Sequence, residues 1–283
     1  VRTLRFTKMH GLGNDFVLVN GFREKIEGDM GELARRICDR RFGIGSDGLI
    51  FLLPSDVADI KMRMFNPDGS EAEMCGNGIR CLARLAYEEG LVQGTVIRVE
   101  TLAGIVVPEL ILEGDKVSRV RVDMGEPKLL RREISMLGEG DTAIEIPLEV
   151  EGEIWEATCL SMGNPHCVIF VPRIEEAPVT ELGPKLEHHP LFPQRTNVEF
   201  IQIQNPREIK MRVWERGAGE TLACGSGACA AAVASALTGR TEREVVVHLP
   251  AGDLHIDWAA NNHVFMSGPA TRVFEGVYYL ETA

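Results

Sequence analysis

Met74-Cys75-Gly76-Asn77-Gly78 has a counterpart in the same chain. Ala223-Cys224-Gly225-Ser226-Gly227 repeats its Cys-Gly-x-Gly core, and each copy opens a run of small and apolar residues. Each cysteine reads as the N-terminus of a buried helix, and the chain reads as two halves that bring the pair to face one another across a substrate. Setting the two sites in register gives an offset of 149 (224 − 75). Carried upstream, that offset lays Met62-Arg63-Met64-Phe65-Asn66 on Met211-Arg212-Val213-Trp214-Glu215, Glu71 on Glu220, and Gly48-Leu49-Ile50-Phe51 on Asn197-Val198-Glu199-Phe200. Gly13-Asn14 and Gly163-Asn164, 150 apart, each precede a Val-rich strand. A repeat of this length is a duplicated domain, not a solenoid period.

Between these landmarks the pattern alternates short strands with few helices. Strands are expected at residues 5–8, 16–20, 49–53, 60–66, 96–100, 104–112, 117–123, 144–150, 153–159, 168–171, 198–204, 209–214, 245–249, 253–258 and 264–267. Helices are expected at 29–40, 75–89, 179–186 and 224–237, with Gly90 and Gly239 ending the second and the last. Residues 228–237 carry no charge on any face, so that helix is expected to be buried all round. The helix after Cys75 keeps Arg80, Arg84, Glu88 and Glu89 and is expected to be only partly enclosed. The fold class is therefore α+β: two pseudo-symmetric, strand-rich halves, each wrapping one helix.

The bulk composition narrows the function. The 283 residues suggest two domains, and 45% hydrophobic content is ample for two cores. A net charge of −12 argues against nucleic acid and against an anionic membrane surface. Seven cysteines, an odd and sparse set, argue against a disulfide scaffold. No stretch approaches 18 apolar residues, and residues 1–19 lack a signal-like apolar run, so a reducing cytoplasm is the default expectation.

A helix N-terminus offers unpaired N–H groups and partial positive charge, on which a carboxylate can dock. The same field favours a thiolate by roughly 0.3–1 kcal/mol, up to about 2 when partly buried. From an ordinary thiol value of ~8.5 that moves the group toward neutrality, where it is a useful base. Two such thiols on opposite sides of one carbon make a racemase or epimerase: one removes the α-proton, the other returns a proton to the opposite face. Cys38, Cys81, Cys159 and Cys229 lie in apolar runs and read as core residues. Cys167 follows His166 on a strand, which points the two to opposite faces. Cys75 and Cys81 have no second pair nearby to complete a zinc site, so no metal is expected. Paired structural helix starts, or a Cys–His hydrolase, are the competing readings of the cysteines.

Around these residues the chain resembles the diaminopimelate epimerase family. The resemblance runs from Met9-His10-Gly11-Leu12-Gly13-Asn14-Asp15-Phe16 to the C-terminus. It is strongest at Phe65-Asn66-Pro67-Asp68-Gly69-Ser70, Gly163-Asn164-Pro165-His166 and Arg216-Gly217-Ala218-Gly219-Glu220-Thr221, the first and last leading into the two cysteine loops. The resemblance implies two similar domains, each a curved, mostly antiparallel sheet around a central helix, spanning 1–118 plus 271–283 and 119–270, with the site between them. It implies a homodimer and cofactor-independent conversion of L,L-2,6-diaminopimelate to the meso isomer, a step of lysine and peptidoglycan precursor synthesis. Cys75 and Cys224 would be the two acid/base residues. Gly76, Asn77, Gly225 and Ser226 would offer N–H groups to the reacting carboxylate. Asn14, Asn66, Asn164, Asn197, Glu215 and Arg216 would line the substrate site, with His166 and Glu215 tuning the cysteines. Some members place a glutamine contact where this chain has Gly48. Proline racemase and hydroxyproline epimerase share the two-cysteine logic but not this asparagine set. An epimerase for another amino acid, a pyridoxal phosphate enzyme and a non-catalytic amino-acid-binding protein remain as rivals.

Overall fold

The computed structural model of the protein describes residues 2–280. Of the expected domain spans, residues 1 and 281–283 lie outside the described residues. The chain divides into two units. The first holds the described residues up to Val122 and those from Gly268 onward; the second is Asp123–Ser267. The divisions fall a few residues from the expected 118/119 and 270/271, because the strand that ends the first passage runs without a break from Lys116 to Asp123.

In the first unit the elements are β1 (Arg2–Gly11), β2 (Asn14–Asn20), α1 (Met30–Cys38), β3 (Gly48–Leu53), β4 (Ile60–Phe65), β5 (Glu71–Ala72), α2 (Gly76–Glu88), β6 (Val99–Thr101), β7 (Gly104–Val106), β8 (Glu109–Glu113) and β9 (Lys116–Asp123). The second unit contains α3 (Arg131–Ile134), β10 (Ala143–Val150), β11 (Glu153–Ser161), β12 (Pro165–Phe170), α4 (Val179–Glu187), β13 (Asn197–Asn205), β14 (Glu208–Glu215), β15 (Gly219–Thr221), α5 (Gly225–Leu237), β16 (Glu244–Leu249), β17 (Gly252–Trp258) and β18 (Val264–Gly268). The chain then returns to the first unit as β19 (Thr271–Leu280), paired antiparallel with β1.

The pairing scheme is the same in both units. β1 is antiparallel to β2, β2 parallel to β3, and β3 antiparallel to β4; β11, β12, β13 and β14 repeat those relations. β5 turns back on β4 as β15 does on β14. After the helix, β6 returns parallel to β4, and β16 parallel to β14. The duplication read from the cysteine loops is thus a duplication of topology, and the architecture is α+β, mostly sheet with few helices. α2 packs on β1, β2, β3 and β4, and α5 on β11, β12, β13, β14, β16 and β17.

Local chemistry explains the elements. Asp29 caps α1, its Oδ1 accepting from the Gly31 and Glu32 amides at 2.8 and 3.1 Å. Gly90 and Gly239 follow α2 and α5 in the left-handed region, each at φ 69°, where a Cβ would be strained. α5 is buried from Gly227 through Ser235 as its apolar circumference requires, and Ser235 satisfies its hydroxyl on Ala231 O at 2.7 Å.

Three expectations are corrected. Arg80 is not on a solvent face of α2: it is fully buried, and donates to Pro269 O at 3.2 Å and Gly76 O at 3.3 Å. The strand expected over residues 104–112 is two, because Pro108 lacks an amide and its carbonyl turns to accept from Ile97. β19 was not anticipated as a strand at all. Among the described residues, no helix is long and apolar enough to cross a membrane.

Candidate active site

In each unit the cysteine itself is the helix cap. Cys75 precedes α2 with extended backbone (φ −141°), and its Sγ accepts from the Gly78 amide at 3.4 Å. Cys224 precedes α5 in the same way (φ −130°), accepting from the Gly227 amide at 3.4 Å. A thiol thus sits where Ser or Asp usually caps a helix, beside amides that lack intrahelical partners. Gly76 and Asn77, Gly225 and Ser226 are the residues carrying those amides. Ser226 Oγ also lies 3.6 Å from Cys224 Sγ.

The first unit gathers Asn14, Cys75 and Asn77. The β1–β2 turn sets Asn14 at the start of β2, and Asn14 Nδ2 donates to Asp47 Oδ2 at 2.9 Å. That bond fixes the amide, so Oδ1 turns the other way. There it accepts from Asn77 Nδ2 at 3.0 Å and lies 4.0 Å from Cys75 Sγ. Asp47 is itself held by Arg40 at 2.8 Å and accepts from the Asp15 amide at 3.1 Å. Burial alone would raise the Asp15 carboxyl, but Arg40 and Lys8 outweigh it and hold it at about 2. Asn66 stays in its own turn, donating to Ser70 Oγ at 3.0 Å, and is not bonded to this cluster among the described residues. Gly48 has no room for a longer side chain in the present packing: a Cβ there would meet Met64 Cε at 3.0 Å, Phe65 O at 3.2 Å and Phe16 Cδ1 at 3.3 Å.

The second unit lays out two hydrogen-bonded chains. Asn164 Oδ1 meets His166 Nε2 at 2.9 Å, and His166 Nδ1 meets Glu199 Oε1 at 2.7 Å. Imidazole and carboxyl are both fully buried. Asn197 donates to Pro165 O at 2.9 Å and accepts from the Arg216 amide at 2.9 Å, so much of its amide is already committed. Arg216 reaches Gln194 O at 3.0 Å, and Glu215 accepts from Thr221 Oγ1 at 2.5 Å. As the strand alternation requires, Cys167 points away from His166, into the core beside Cys159, its register partner. That neighbour and burial push the Cys167 thiol up.

Two residues that the sequence did not mark as site residues contact these groups. Asp47 orients Asn14. Glu199 lies against the first turn of α5, where the space next to Gly227 is bounded by Glu199 Oε1 and Cys224 Sγ. Burial pushes the Glu199 carboxyl up, and His166 pulls it part of the way back. The thiols depart from expectation. Burial raises Cys75, and the Gly78 and Asn77 amides and Arg80 only partly oppose it. Burial raises Cys224 further, with the Glu215 and Glu199 carboxylates adding to it. The helix amides act in the expected direction, but desolvation is the larger effect.

Compared with known proteins, residues 6–130 and 158–273 match the family model described as diaminopimelate epimerase. The chain belongs to the diaminopimelate epimerase family. It is 64% identical over 279 residues to the diaminopimelate epimerase of Moorella thermoacetica, covering 98% of this chain and 100% of that one. It is 59% identical over 280 residues to that of Pelotomaculum thermopropionicum, covering 99% and 100%. Among solved structures it shares its fold with a Bacillus anthracis phenazine biosynthesis protein of the PhzF family (TM-score 0.71, 18% identity, 99% and 100% coverage). It also shares it with a hydroxyproline epimerase from Agrobacterium vitis with bound trans-4-hydroxy-L-proline (TM-score 0.67, 16% identity, 98% and 92% coverage). At such identities these two structures speak to the fold alone.

Proposed function

We propose that the protein is a cofactor-independent epimerase of 2,6-diaminopimelate, interconverting the L,L and meso isomers in lysine and peptidoglycan precursor synthesis. The observation that carries this reading is the duplicated thiol cap, one per unit, in a chain of this family. Cys75 and Cys224 act as the two acid/base groups on one α-carbon. The α2 and α5 amides, at Gly76, Asn77, Gly225 and Ser226, stabilise the carboxylate of the planar intermediate as charge develops on it. Asn14, Asn66, Asn164, Asn197, Glu215 and Arg216 bind the substrate, amides serving both ammonium and carboxylate groups. His166 and Glu215 set the electrostatics of the thiols. Incubation of the purified protein with L,L-diaminopimelate and no added cofactor, followed by chiral chromatography, is expected to yield the meso isomer. Binding without solvent-proton exchange would replace the enzyme reading with an amino-acid-binding one, and turnover of proline instead would move the substrate.

The same proposal includes a cytoplasmic homodimer with no nucleic-acid or membrane partner. Seven cysteines, an odd and sparse set, favour a reducing compartment, and the acidic balance disfavours polyanions. β19 is the edge of the first unit's sheet and leaves Val273, Phe274, Val277 and Tyr279 about half exposed or more. A long apolar edge strand is a template for pairing, and a second copy is its natural partner. Sedimentation equilibrium is expected to return the mass of two chains; a monomer mass would remove the dimer from the proposal.

A further inference from the structure

Glu187, the last residue of α4, is a buried carboxylate that the epimerase chemistry does not use. Only 3% of it is exposed, and it closes a helix whose C-terminal dipole disfavours negative charge. What offsets that cost is a ring of donors. Glu187 Oε2 accepts from the Trp214 indole at 2.7 Å, and Oε1 accepts from the Gly217 amide at 3.0 Å and from Arg195 at 3.3 Å. α4 lies flush on Trp214: a Cβ on Gly183 would come within 2.7 Å of the Trp214 side chain.

These bonds converge on one turn. Between β14 and β15 the chain runs Glu215-Arg216-Gly217-Ala218, and three successive amides are each tied down. Arg216 N–H goes to Asn197 Oδ1, Gly217 N–H to Glu187, and Ala218 N–H to Glu215 O at 3.0 Å. The duplication supplies a control. At the 149-residue offset Glu187 falls on Cys38, Trp214 on Phe65 and Arg216 on Pro67. In the first unit, where the turn carries no arginine, Cys38 and Phe65 are ordinary members of an apolar core. There the helix α1 reaches its turn through a cation instead, Arg35 Nε donating to Asp68 O at 2.8 Å, whereas a buried carboxylate gripping a turn amide is found in the copy whose turn bears Arg216.

Building on the reading of Arg216 as a substrate contact, we infer that Glu187 is a positioning residue for substrate recognition. Its carboxylate, gripping Trp214 and Gly217 together, holds the turn that presents Arg216 to the substrate's carboxylate. Every partner of Glu187 is a donor, so only an acceptor-only side chain satisfies the site. In Glu187→Gln the amide NH2 must face either the indole N–H or the Gly217 and Arg195 N–H groups.

Steady-state kinetics with L,L-diaminopimelate test this. Glu187→Gln is expected to raise KM about tenfold with kcat within about threefold, since a displaced arginine loses binding common to ground and transition states. Trp214→Phe alone is expected to raise KM less than Glu187→Gln does, since Oε1 keeps Gly217 and Arg195 while Oε2 loses its donor. The double variant Glu187→Gln/Trp214→Phe lets the amide nitrogen face an apolar ring while Oε1 keeps Gly217, and is expected to recover most of the lost KM. A double variant as impaired as Glu187→Gln overturns the inference, and it carries the test if the single variant does not fold. Arg216→Ala separates the two readings. A raised KM there with a parental KM in Glu187→Gln overturns the role of Glu187 alone, whereas a parental KM in Arg216→Ala overturns both.

Discussion

Cys75→Ala and Cys224→Ala are each expected to abolish epimerisation while leaving the melting temperature near that of the parent. A single acid/base group contributes about 10²–10⁴ in rate. On the proposed mechanism each thiol is needed in both directions, as base one way and acid the other, so neither variant would retain a working route. Alanine removes only a sulfur that accepts a long 3.4 Å bond at the head of its helix, a small structural loss. In D2O the parent enzyme is expected to place deuterium in the product before it appears in recovered substrate, because the proton returned comes from the second thiol. Equal early labelling of substrate and product would mean a single base. The surroundings of the thiols add a pH dependence. Both thiols lie above their ordinary value, so at neutral pH both are mostly protonated, and kcat/KM is expected to rise with pH as one ionises. Cys75 is expected to ionise first, because Arg80 and two amides favour its thiolate, whereas the Glu215 and Glu199 carboxylates disfavour that of Cys224. On that mechanism a second ionisation removes the acid, so the profile is expected to fall again at higher pH. A profile flat across the alkaline range would contradict the thiolate as base.

What sequence alone could reveal was what the chain encodes locally. In both copies Cys-Gly-x-Gly before an apolar run is a cap and a helix, and the two in register disclosed the duplication. The uncharged circumference of α5 likewise left one place for it. Readings failed where a residue's meaning depends on what covers it. In Asn197-Val198-Glu199-Phe200 the alternation sets Glu199 opposite Val198 and Phe200, which commonly signifies a solvent face. β13 is instead covered on both faces, by α4 and by α5, so Glu199 is buried and its carboxyl is paired with His166. Arg80 misled in the same way, since its acceptor Pro269 O lies 189 residues along the chain. β19 escaped because one face is exposed, the other is only half-buried, and its partner β1 is at the other end of the sequence. Asp47 reads as a turn residue until Asn14 is seen donating to it.

The place where the two copies diverge chemically yields the second large effect. Gly78 and Gly227 occupy the same position three residues after each cysteine, and each donates its amide to the sulfur. Opposite Gly78 stands Ile50; opposite Gly227, at the same offset, stands Glu199. A Cβ at Gly78 would meet Ile50 Cδ1 at 2.9 Å and Met62 Cε at 3.2 Å, both free ends of flexible apolar chains that can move aside. Gly78→Ala is therefore expected to cost less than about 1 kcal/mol, because the better helix propensity of alanine offsets the crowding. A Cβ at Gly227 would meet Glu199 Oε1 at 2.8 Å, Met211 Cε at 3.0 Å and Cys224 Sγ at 3.2 Å. Met211 can yield, but Glu199 is held by His166 with no solvent to retreat into. Either the first turn of α5 shifts or the buried pair parts, and breaking such a pair costs about 3–5 kcal/mol. Displacing a reacting group by about 1 Å costs roughly 10²-fold in rate, so Gly227→Ala is expected to lose both stability and turnover. Urea unfolding and kcat/KM, measured on the two variants side by side, decide it. Similar losses in both would show that Glu199 is not the rigid wall of the Cys224 cap, whereas a severe loss confined to Gly227→Ala ties the second thiol's placement to the buried Glu199–His166 pair.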